Sequence, residues 1–576
     1  MYCPKLSELK TSRSTERVFR GYNHNAHVGE GEFYEMENLS SDHYPLISPR
    51  PPRGTFAAPA LAQGMIAREK LCYIDGGDFI MDGERTAMGL TVDGTPKTMV
   101  SLGTYVIVLP DKKYVNTADT SDHGAIEASF TTTDLIRYHM CREDGKPYPE
   151  VTVSIVAPGN PEDLSYWLDT STEPNVLKQY FEARDTWMTI PKTYVRIYSS
   201  GIGLPFSEGD GVTLSGILNE KLTELNGRVV IVARAKDYIV VPGMLEKSGE
   251  QTANCPITLE RKMPDMDFLI ESENRLWGCR YGDGVNTVYA CKRGDFRNWF
   301  CSAGNADDSF EQTVGSDGPF TGAVTHLGYP LFFKENCLHK VYGNAPDDYQ
   351  IRTVSLRGVQ KGCSRSLATV NEQLFYKSRA GVCMYDGSLP ENVSAPLGDI
   401  AYDNAAGGAL GNKYYVSMAD TSGNYHMFVY DTVKKMWHRE DGTQATEFCP
   451  LNGELYYLDY GTGQIRTVKG TGAKETAPIR WSATTGLIGT DSPDKKYVSR
   501  LDVRMQLEVG ARVAFYAKYD SGDEFEYLFT MTGKSLQSFS VPIRPRRCDH
   551  LRLRIIGTGG AKIFSITKTV EWGGSR

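Results

Sequence analysis

Residues 407–441 read GGALGNKYYVSMADTSGNYHMFVYDTVKKMWHRED. Apolar, aromatic-rich runs alternate here with short turns that contain Gly, Asn or Asp, and this arrangement predicts antiparallel hairpins. Six other segments repeat the order of a first strand, a short turn, an apolar second strand and a third strand. They are Leu61–Gly83, Lys97–Asn116, 267–300, Ala323–Gly343, Leu367–Gly387 and Phe448–Gly470. Repetition of such a unit is typical of the blades of a β-propeller.

The composition favours the same fold class. The 576 residues include 33 Tyr and 57 Gly, and these residue types favour pleated strands joined by tight turns. We therefore predict an all-β protein: a β-propeller of about seven blades, with six to eight compatible with the diverged repeats, an inserted small β domain and a C-terminal β-sandwich.

The repeats divide the chain into five regions. Blades are predicted over 56–120 and 263–470. The strands of 121–262 have another spacing, so this stretch is predicted to be an inserted β domain, with a helical piece near 176–183; insertions between blades are tolerated because they leave from loops. Long alternating strands such as RLDVRMQL (500–507) predict a β-sandwich over 471–576. Residues 1–55 are predicted to be an extended arm.

The end of this arm is rich in proline, which forbids a helix and favours extended backbone. Two interpretations remain open. The segment either closes the propeller within its own subunit or docks on a neighbouring subunit. The candidate inter-subunit residues are Tyr44, Pro45, Arg50, Pro51 and Arg53.

The formal net charge is -8. A protein that grips nucleic acid through phosphates should be basic, so we expect DNA only as transiting cargo and a channel lining that is acidic or neutral. Arg544, Arg546 and Arg547 form a local basic patch. This patch faces either a neighbouring subunit or DNA, or it is a solvated stretch whose guanidinium groups pair with nearby carboxylates.

The twelve cysteines show no C-x-x-C and no zinc-finger spacing, which predicts free, mostly buried thiols made in a reducing cytosol. His24 and His27 lie among asparagines and predict a polar loop rather than a metal site. The polar N-terminal stretch is unlike a signal peptide, and no apolar run approaches 18 residues. We predict no cofactor and no membrane insertion by this chain.

No constellation of residues indicates an enzyme. Gly294–Phe300 is only faintly similar to the Asp-box of sialidase propellers. Asp75, Asp78 and Asp82 are interpreted as turn residues that bind their own backbone, not as the paired carboxylates of a glycosidase. We therefore expect no catalytic activity.

Four stretches resemble the tail nozzle proteins of short-tailed bacteriophages, also described as packaged-DNA stabilization or tail tubular proteins. The first has the pattern N-L-S-x-D-x-Y-P-L-I-x-P-R-P-x-R. The four are Asn38–Arg53, Trp277–Phe300, Ser366–Gly387 and Pro542–Gly559, the last followed by KTVEWG. The likeness spans most of the chain except the predicted insert.

The resemblance implies a structural virion protein, made in the cytoplasm of a host bacterium, that forms a homohexameric ring in the phage tail. Such a ring extends the DNA exit channel, helps to retain packaged DNA before ejection, docks on an adaptor or portal ring, and contacts tail fibres or spikes. A receptor-binding or adhesion propeller of the tail is the alternative, and a glycan-cleaving propeller is a further one.

Overall fold

A computed structural model of the chain describes residues 10–218, 220, 222–282, 284–490, 495–533 and 535–572. These residues are almost entirely strands, turns and loops. Helical structure within them is limited to the short 3-10 turns Glu182–Arg184, Thr223–Leu225, Ser364–Ser366 and Ala395–Leu397.

Short strands precede the first repeat. They are β1 (Lys10–Glu16), β2 (Gly21–Tyr22), β3 (Glu32–Glu37), β4 (Leu39–Ser40), β5 (Ser48–Pro49) and β6 (Gly54–Ala57).

Two four-stranded sheets follow in which each strand lies beside the next one in the chain, the arrangement of a propeller blade. The first contains β7 (Ala62–Ala67), β8 (Leu71–Asp75), β9 (Asp78–Met81) and β10 (Glu84–Ala87). The second contains β11 (Thr98–Leu102), β12 (Tyr105–Leu109), β13 (Lys113–Asn116) and β14 (His123–Ala125).

The next strands break this pattern and form three sheets of their own, ordered β15-β27-β22-β23, β24-β25-β21-β16-β26 and β17-β18-β19-β20. They are β15 (Ala128–Thr131), β16 (Ile136–Cys141), β17 (Val151–Ser154), β18 (Tyr166–Asp169), β19 (Val176–Phe181), β20 (Thr186–Thr189), β21 (Tyr194–Tyr198), β22 (Gly211–Ser215), β23 (Gly227–Val230), β24 (Ala233–Ala235), β25 (Tyr238–Pro242), β26 (Gly249–Gln251) and β27 (Thr258–Arg261).

The prediction of a helical piece near 176–183 is wrong. Val176–Phe181 is strand β19, which pairs with both β18 and β20, and only the following Glu182–Arg184 turn is 3-10. Val176, Tyr180 and Phe181 are strand-favouring residue types, and pairing on both sides satisfies the backbone polar groups that a helix would otherwise satisfy internally.

Blade-like sheets resume after the insert. Their strands are β28 (Phe268–Ser272), β29 (Arg275–Cys279), β30 (Thr287–Ala290) and β31 (Phe310–Thr313); β32 (Gly322–His326), β33 (Tyr329–Phe333), β34 (Cys337–Tyr342) and β35 (Gln350–Ser355); β36 (Ala368–Val370), β37 (Gln373–Ser378), β38 (Gly381–Tyr385) and β39 (Glu391–Asn392); β40 (Tyr402–Leu410), β41 (Lys413–Asp420), β42 (Tyr425–Asp431) and β43 (Met436–Arg439); and β44 (Ala445–Leu451), β45 (Glu454–Asp459) and β46 (Ile465–Thr467).

The last region has longer strands. They are β47 (Ala473–Lys474), β48 (Arg480–Thr485), β49 (Lys496–Leu507), β50 (Arg512–Tyr519), β51 (Glu526–Thr532), β52 (Gln537–Val541), β53 (Leu551–Thr558) and β54 (Ala561–Trp572).

The structure divides into two compact units. The first comprises residues up to 96, 332–338 and from 354 onward, and the second comprises 97–331 and 339–353. Within the first unit, buried side chains of β7–β8 pack against those of β44–β46, and the latter sheet packs in turn on β40–β42. Face-to-face packing of successive blade-like sheets is what builds a propeller.

The second unit repeats this packing on either side of the insert. Leu102, Ile107 and Leu109 of the second sheet share one core with Leu269 and Leu276 of the third, although more than a hundred residues separate them in the chain. The insert has a separate core between the sheets β15-β27-β22-β23 and β24-β25-β21-β16-β26. The two ends of the inserted chain lie side by side, because β15 pairs with β27 and places Ala128 opposite Arg261. Blade packing can therefore continue across the insertion.

The C-terminal region is a two-sheet sandwich. One sheet has the order β1-β54-β49-β52, and the other contains β48, β53, β50 and β51. Val498 and Val570 of the first sheet pack on Ala517, Tyr519 and Leu551 of the second. The predicted fold class is thus confirmed, while the number of blades that close around a common axis stays a prediction.

N-terminal strands are built into both parts of the first unit. Strand β6 pairs with β46 and completes the last blade-like sheet. Strands β2 and β3 lie between β43 and β48, so that one ten-stranded sheet runs β40-β41-β42-β43-β2-β3-β48-β53-β50-β51. Strand β1 pairs along β54 from Lys10 to Glu16. The chain's first described strands therefore join the propeller sheets to the sandwich.

Candidate functional site

The N-terminal segment meets the last blades through two buried arginines. Pro49 and Pro51 hold the backbone of this stretch extended. Arg50 lies beside Asn38, whose side-chain oxygen accepts from Arg50 Nε at 2.7 Å. Asn38 itself has a positive φ of 53°, a conformation that asparagine tolerates better than most residues. This local geometry directs both arginine side chains inward.

Arg53 is 2% exposed and is neutralised by two acidic side chains. Its Nη2 lies 2.6 Å from Glu440 Oε2, and its Nη1 lies 2.8 Å from Asp441 Oδ2. Its guanidinium also sits 5.6 Å from the centre of the Tyr457 ring. Burial alone would lower the pKa of Arg53, but the acidic neighbours raise it well above its usual range, so this side chain stays charged.

Glu475 links Arg50 to a third arginine, Arg466. Its Oε2 accepts from Arg50 Nη1 at 3.0 Å and from the backbone N–H of Arg53 at 3.1 Å, and its Oε1 accepts from Arg466 Nη2 at 2.9 Å. Burial would raise the pKa of Glu475, but the hydrogen bond and charge of Arg50 outweigh it and lower that pKa. We call Arg50, Arg53, Glu440, Asp441, Arg466 and Glu475 the staple cluster.

The ion pairs of the staple cluster hold separate segments of the chain together. Every charge in it has an opposite partner inside the same chain, and removal of one member of a buried pair leaves an uncompensated charge that costs about 3–5 kcal/mol. The cluster fixes the N-terminal segment to the last two blade-like sheets and to the stretch leading into β48.

The predicted arm residues divide into two groups. Arg50 and Arg53 are buried in the staple cluster and pair with carboxylates of their own chain, and Pro51 is half-buried beside them. Tyr44 is 39% exposed, with Lys434 Nζ 4.9 Å from its ring centre, and Pro45 is exposed. An inter-subunit role for the arm therefore depends on Tyr44 and Pro45, and it stays a prediction.

The predicted basic patch lies on the sandwich, in the loop between β52 and β53. All three side chains are exposed. Arg546 pairs with Glu526 at 2.8 Å and lies over the Tyr519 ring. Arg544 and Arg547 form no ion pair with any residue that the structure describes. The patch thus includes two guanidinium groups available for an external partner.

The acidic turn of the first blade has the contacts of a structural turn. Arg85 pairs with Asp75 and Asp78, each at 2.8 Å. Asp75 also accepts from the Leu61 N–H at 2.9 Å. Burial would raise the pKa of Asp75, but these contacts lower it. A glycosidase general acid needs the opposite shift.

The histidine loop binds its own neighbours. His24 Nδ1 lies 2.9 Å from the Tyr34 carbonyl oxygen, and the two rings stack with centroids 4.3 Å apart. Asn23 donates to Glu32 at 2.7 Å. Among the described residues, no group of three or more His, Cys, Asp or Glu is placed to hold a metal ion.

Trp299 lies in the Gly294–Phe300 segment and is 1% exposed. Its Nε1 donates to the Phe296 carbonyl at 2.8 Å. The neighbouring Asn298 donates to Asp210 at 3.0 Å and accepts from the Gly211 N–H at 2.9 Å. This segment therefore anchors the insert to a blade.

No two of the described cysteines form a disulfide with each other, and all but Cys255 are buried; Cys3 lies outside the described residues. No helix in the described part of the chain is long and apolar enough to span a membrane.

Sequence reasoning missed the acidic members of the staple cluster. Glu440 and Asp441 follow the aromatic strand that ends in MWHR, and Glu475 lies in a short turn-rich stretch. Nothing in their local sequence distinguishes them from other surface carboxylates. The sequence offered one clue, the two arginines Arg50 and Arg53 in a proline-rich segment, because arginines that become buried require carboxylate partners.

No family model matches the chain, and no curated protein matches it. Among solved structures, U3-55K is similar with a TM-score of 0.27 and 6% identity over 72% of this chain and 98% of that chain. The propeller domain of the Trilobed protease from Pyrococcus furiosus has a TM-score of 0.26 and 10% identity over 66% and 96%. An exo-β-1,3-galactanase from Phanerochaete chrysosporium has a TM-score of 0.21 and 9% identity over 52% of this chain and 94% of that chain. Likeness at this level carries no argument about activity or partners.

Proposed function

We propose that this chain is a structural subunit of the tail nozzle of a short-tailed bacteriophage, in a ring that extends the DNA exit channel and helps to retain packaged DNA. The proposal starts from the four stretches that resemble this family. The observation that carries it further is the continuous ten-stranded sheet, which joins a propeller blade to the C-terminal sandwich through β2 and β3.

Such a connection suits the wall of a tube that holds back DNA. Domains joined only by flexible linkers move relative to each other by default. Here backbone hydrogen bonds run from one domain into the other, and the staple cluster secures the N-terminal segment beside them. Load applied to the sandwich is therefore transmitted to the blades.

The polar clusters support a role without catalysis. The carboxylates of the staple cluster and of the Asp75 turn are held by arginines at 2.6 to 3.0 Å, and Asp75, Asp441 and Glu475 all have lowered pKa values. Side chains fixed in this way stabilise a fold and are poor proton donors at neutral pH.

The proposed ring is a cyclic homo-oligomer, six-fold by resemblance, docked on an adaptor or portal ring. A closed ring of identical subunits needs a head-to-tail interface between two different surfaces. The net charge of -8 suits a channel through which DNA passes without tight binding, because every phosphate contact adds affinity and friction.

The test uses virions assembled from a phage genome from which the gene for this chain has been deleted. We expect such particles to lose their DNA to added nuclease, and expression of the chain from a plasmid in the host to restore protection. Particles that keep their DNA fully protected without the chain would contradict the proposal. So would turnover of capsular or cell-wall glycans by the purified chain.

A further inference from the structure

The net charge of the chain hides two opposed regions. Residues 121–262 contain 20 acidic and 14 basic side chains, a net charge of -6, whereas residues 471–576 contain 17 basic and 11 acidic side chains, a net charge of +6. The remaining residues account for -8. One chain thus contains two regions of opposite net charge.

The negative excess of the insert is confined to one sheet. Residues 143–190 include strands β17–β20 and contain nine acidic and three basic side chains, and eight of the nine acidic side chains are exposed. We call residues 143–190 the acidic sheet. The rest of the insert is neutral overall.

The acidic sheet has an open edge. Strand β17 lies at the end of the sheet order and, among the described residues, pairs only with β18. Its other side presents backbone N–H and C=O groups, and such an edge is a template for association unless it is protected. The stretch Val151–Asn160 contains no charged residue that would block approach.

Apolar side chains are exposed along the same stretch. Val153 is 39% exposed, and Ile155 and Val156 are each 69% exposed. Exposed apolar residues grouped within a polar surround mark interaction sites more often than isolated ones do. The edge of β17 therefore has the properties of a contact surface, and its acidic surroundings select a basic partner.

A matching basic segment is present on the same chain. Residues 542–547 read PIRPRR, lie between β52 and β53 and have no regular secondary structure. Among the described residues, Arg544 and Arg547 are exposed and have no ion-pair partner. The ion pair of Arg546 with Glu526 is itself exposed, so it contributes little. The two prolines restrict the backbone, which reduces the entropy lost on docking.

Building on the proposed nozzle, we infer that the acidic sheet of one copy binds the basic segment 542–547 of the next copy in the ring. Two different surfaces on one chain are what a closed head-to-tail ring requires. The complementary charges determine which surface of one copy faces which surface of the next. The exposed apolar side chains of β17 and of the residues that follow it supply nonpolar area that is buried in the interface.

The test uses two charge-reversed variants of the full chain. One is E150K/E162K/E173K, which reverses exposed acidic side chains of the acidic sheet, and the other is R544E/R547E. Mass photometry should show each variant alone with at least a tenfold lower fraction of ring than the wild type. An equimolar mixture should recover rings, because each reversed surface then meets its reversed complement and the two native surfaces still meet each other.

The control is E69K/E84K/E372K, which makes the same change in net charge as E150K/E162K/E173K at exposed positions outside the acidic sheet and should leave ring formation unchanged. Rings that are unaffected by both reversals would overturn the inference and leave the nozzle proposal standing. Variants that fail alone and in mixture would also overturn it, because each surface would then have another partner. A wild-type chain that stays monomeric would count against both proposals. Loss of binding to a short DNA duplex by R544E/R547E, with rings intact, would assign the basic segment to DNA instead.

Discussion

At the scale of single residues, Arg53 holds the staple cluster together. Replacement of Arg53 by Met keeps an apolar stem of similar length, leaves Glu440 buried without its cation and leaves Asp441 with Arg50 at 3.9 Å. We expect the free energy of unfolding to fall by about 3–5 kcal/mol, measured by denaturant titration with tryptophan fluorescence. The matched control is Arg546→Met, which removes an exposed ion pair and should change stability little. Equal effects of the two substitutions would show that the cluster is not a special point of the fold.

The buried side chain of His438 predicts that the stability of the fold depends on pH. It is 1% exposed, and neither ring nitrogen has a hydrogen-bond partner among the described residues. Burial, followed by the charge of Lys413, lowers its pKa from 6.5 to about 3. The unfolded chain takes up a proton below pH 6.5 and the folded chain does not. The contribution of His438 to stability is therefore complete above pH 6.5 and is lost as the pH falls toward 3.

The variant His438→Leu removes this titration. Between about pH 7.5 and about pH 5, the melting temperature of the wild type should fall more steeply than that of the variant. Differential scanning calorimetry at several pH values measures both slopes. Parallel slopes would mean that His438 does not titrate differently in the folded and unfolded chains.

At the scale of elements, the N-terminal strands belong to the fold rather than to a detachable arm. Phe33 in β3 is 1% exposed and stacks on Phe19 with ring centroids 5.8 Å apart. We expect Phe33→Ala to cost about 3–5 kcal/mol of stability, as large-to-small core substitutions do. Tyr44→Ala, in the exposed part of the same segment, should leave thermal stability nearly unchanged. Lost ring assembly in a stable Tyr44→Ala variant would support an inter-subunit role for that part of the arm.

Deletion of residues 1–53 is a second test of this element. It removes β1–β5 together with Arg50 and Arg53 of the staple cluster, and it exposes the paired edges of β43, β48 and β54. We expect aggregation or a strongly lowered melting temperature rather than a folded monomer. Recovery of a folded, monomeric product would show that the N-terminal strands are dispensable for folding and serve assembly instead.

The sequence predicted those elements whose signals are local. Alternating strands with Gly and Asn turns between them identify the blades and the sandwich because hairpin pairing joins near neighbours in the chain. The pairing of β2 with β43 and of β3 with β48 joins residues more than 400 positions apart, and no periodicity encodes such partners. The strand Val176–Phe181 pairs with its neighbours in the chain, but its sequence VLKQYF groups apolar residues in pairs instead of alternating them, and this spacing does not distinguish a short strand from a helix.

At the scale of the whole molecule, the chain combines rigid β modules with an uneven charge distribution. Propeller sheets and sandwich are joined by one continuous sheet in the first unit, and the acidic sheet belongs to the second. The overall charge of -8 is the basis of the expectation that DNA is not tightly bound, and that expectation stays a prediction. The overall charge gave no hint that positive and negative charges are separated by region, because a sum over the chain cannot locate them.

The central claim, that this chain works as a closed ring, is tested most directly by electron cryomicroscopy of the purified full-length protein. We predict closed rings of identical subunits around an open central channel, six in number by resemblance to the nozzle family. Images of isolated monomers, or of open filaments in place of rings, would contradict the account.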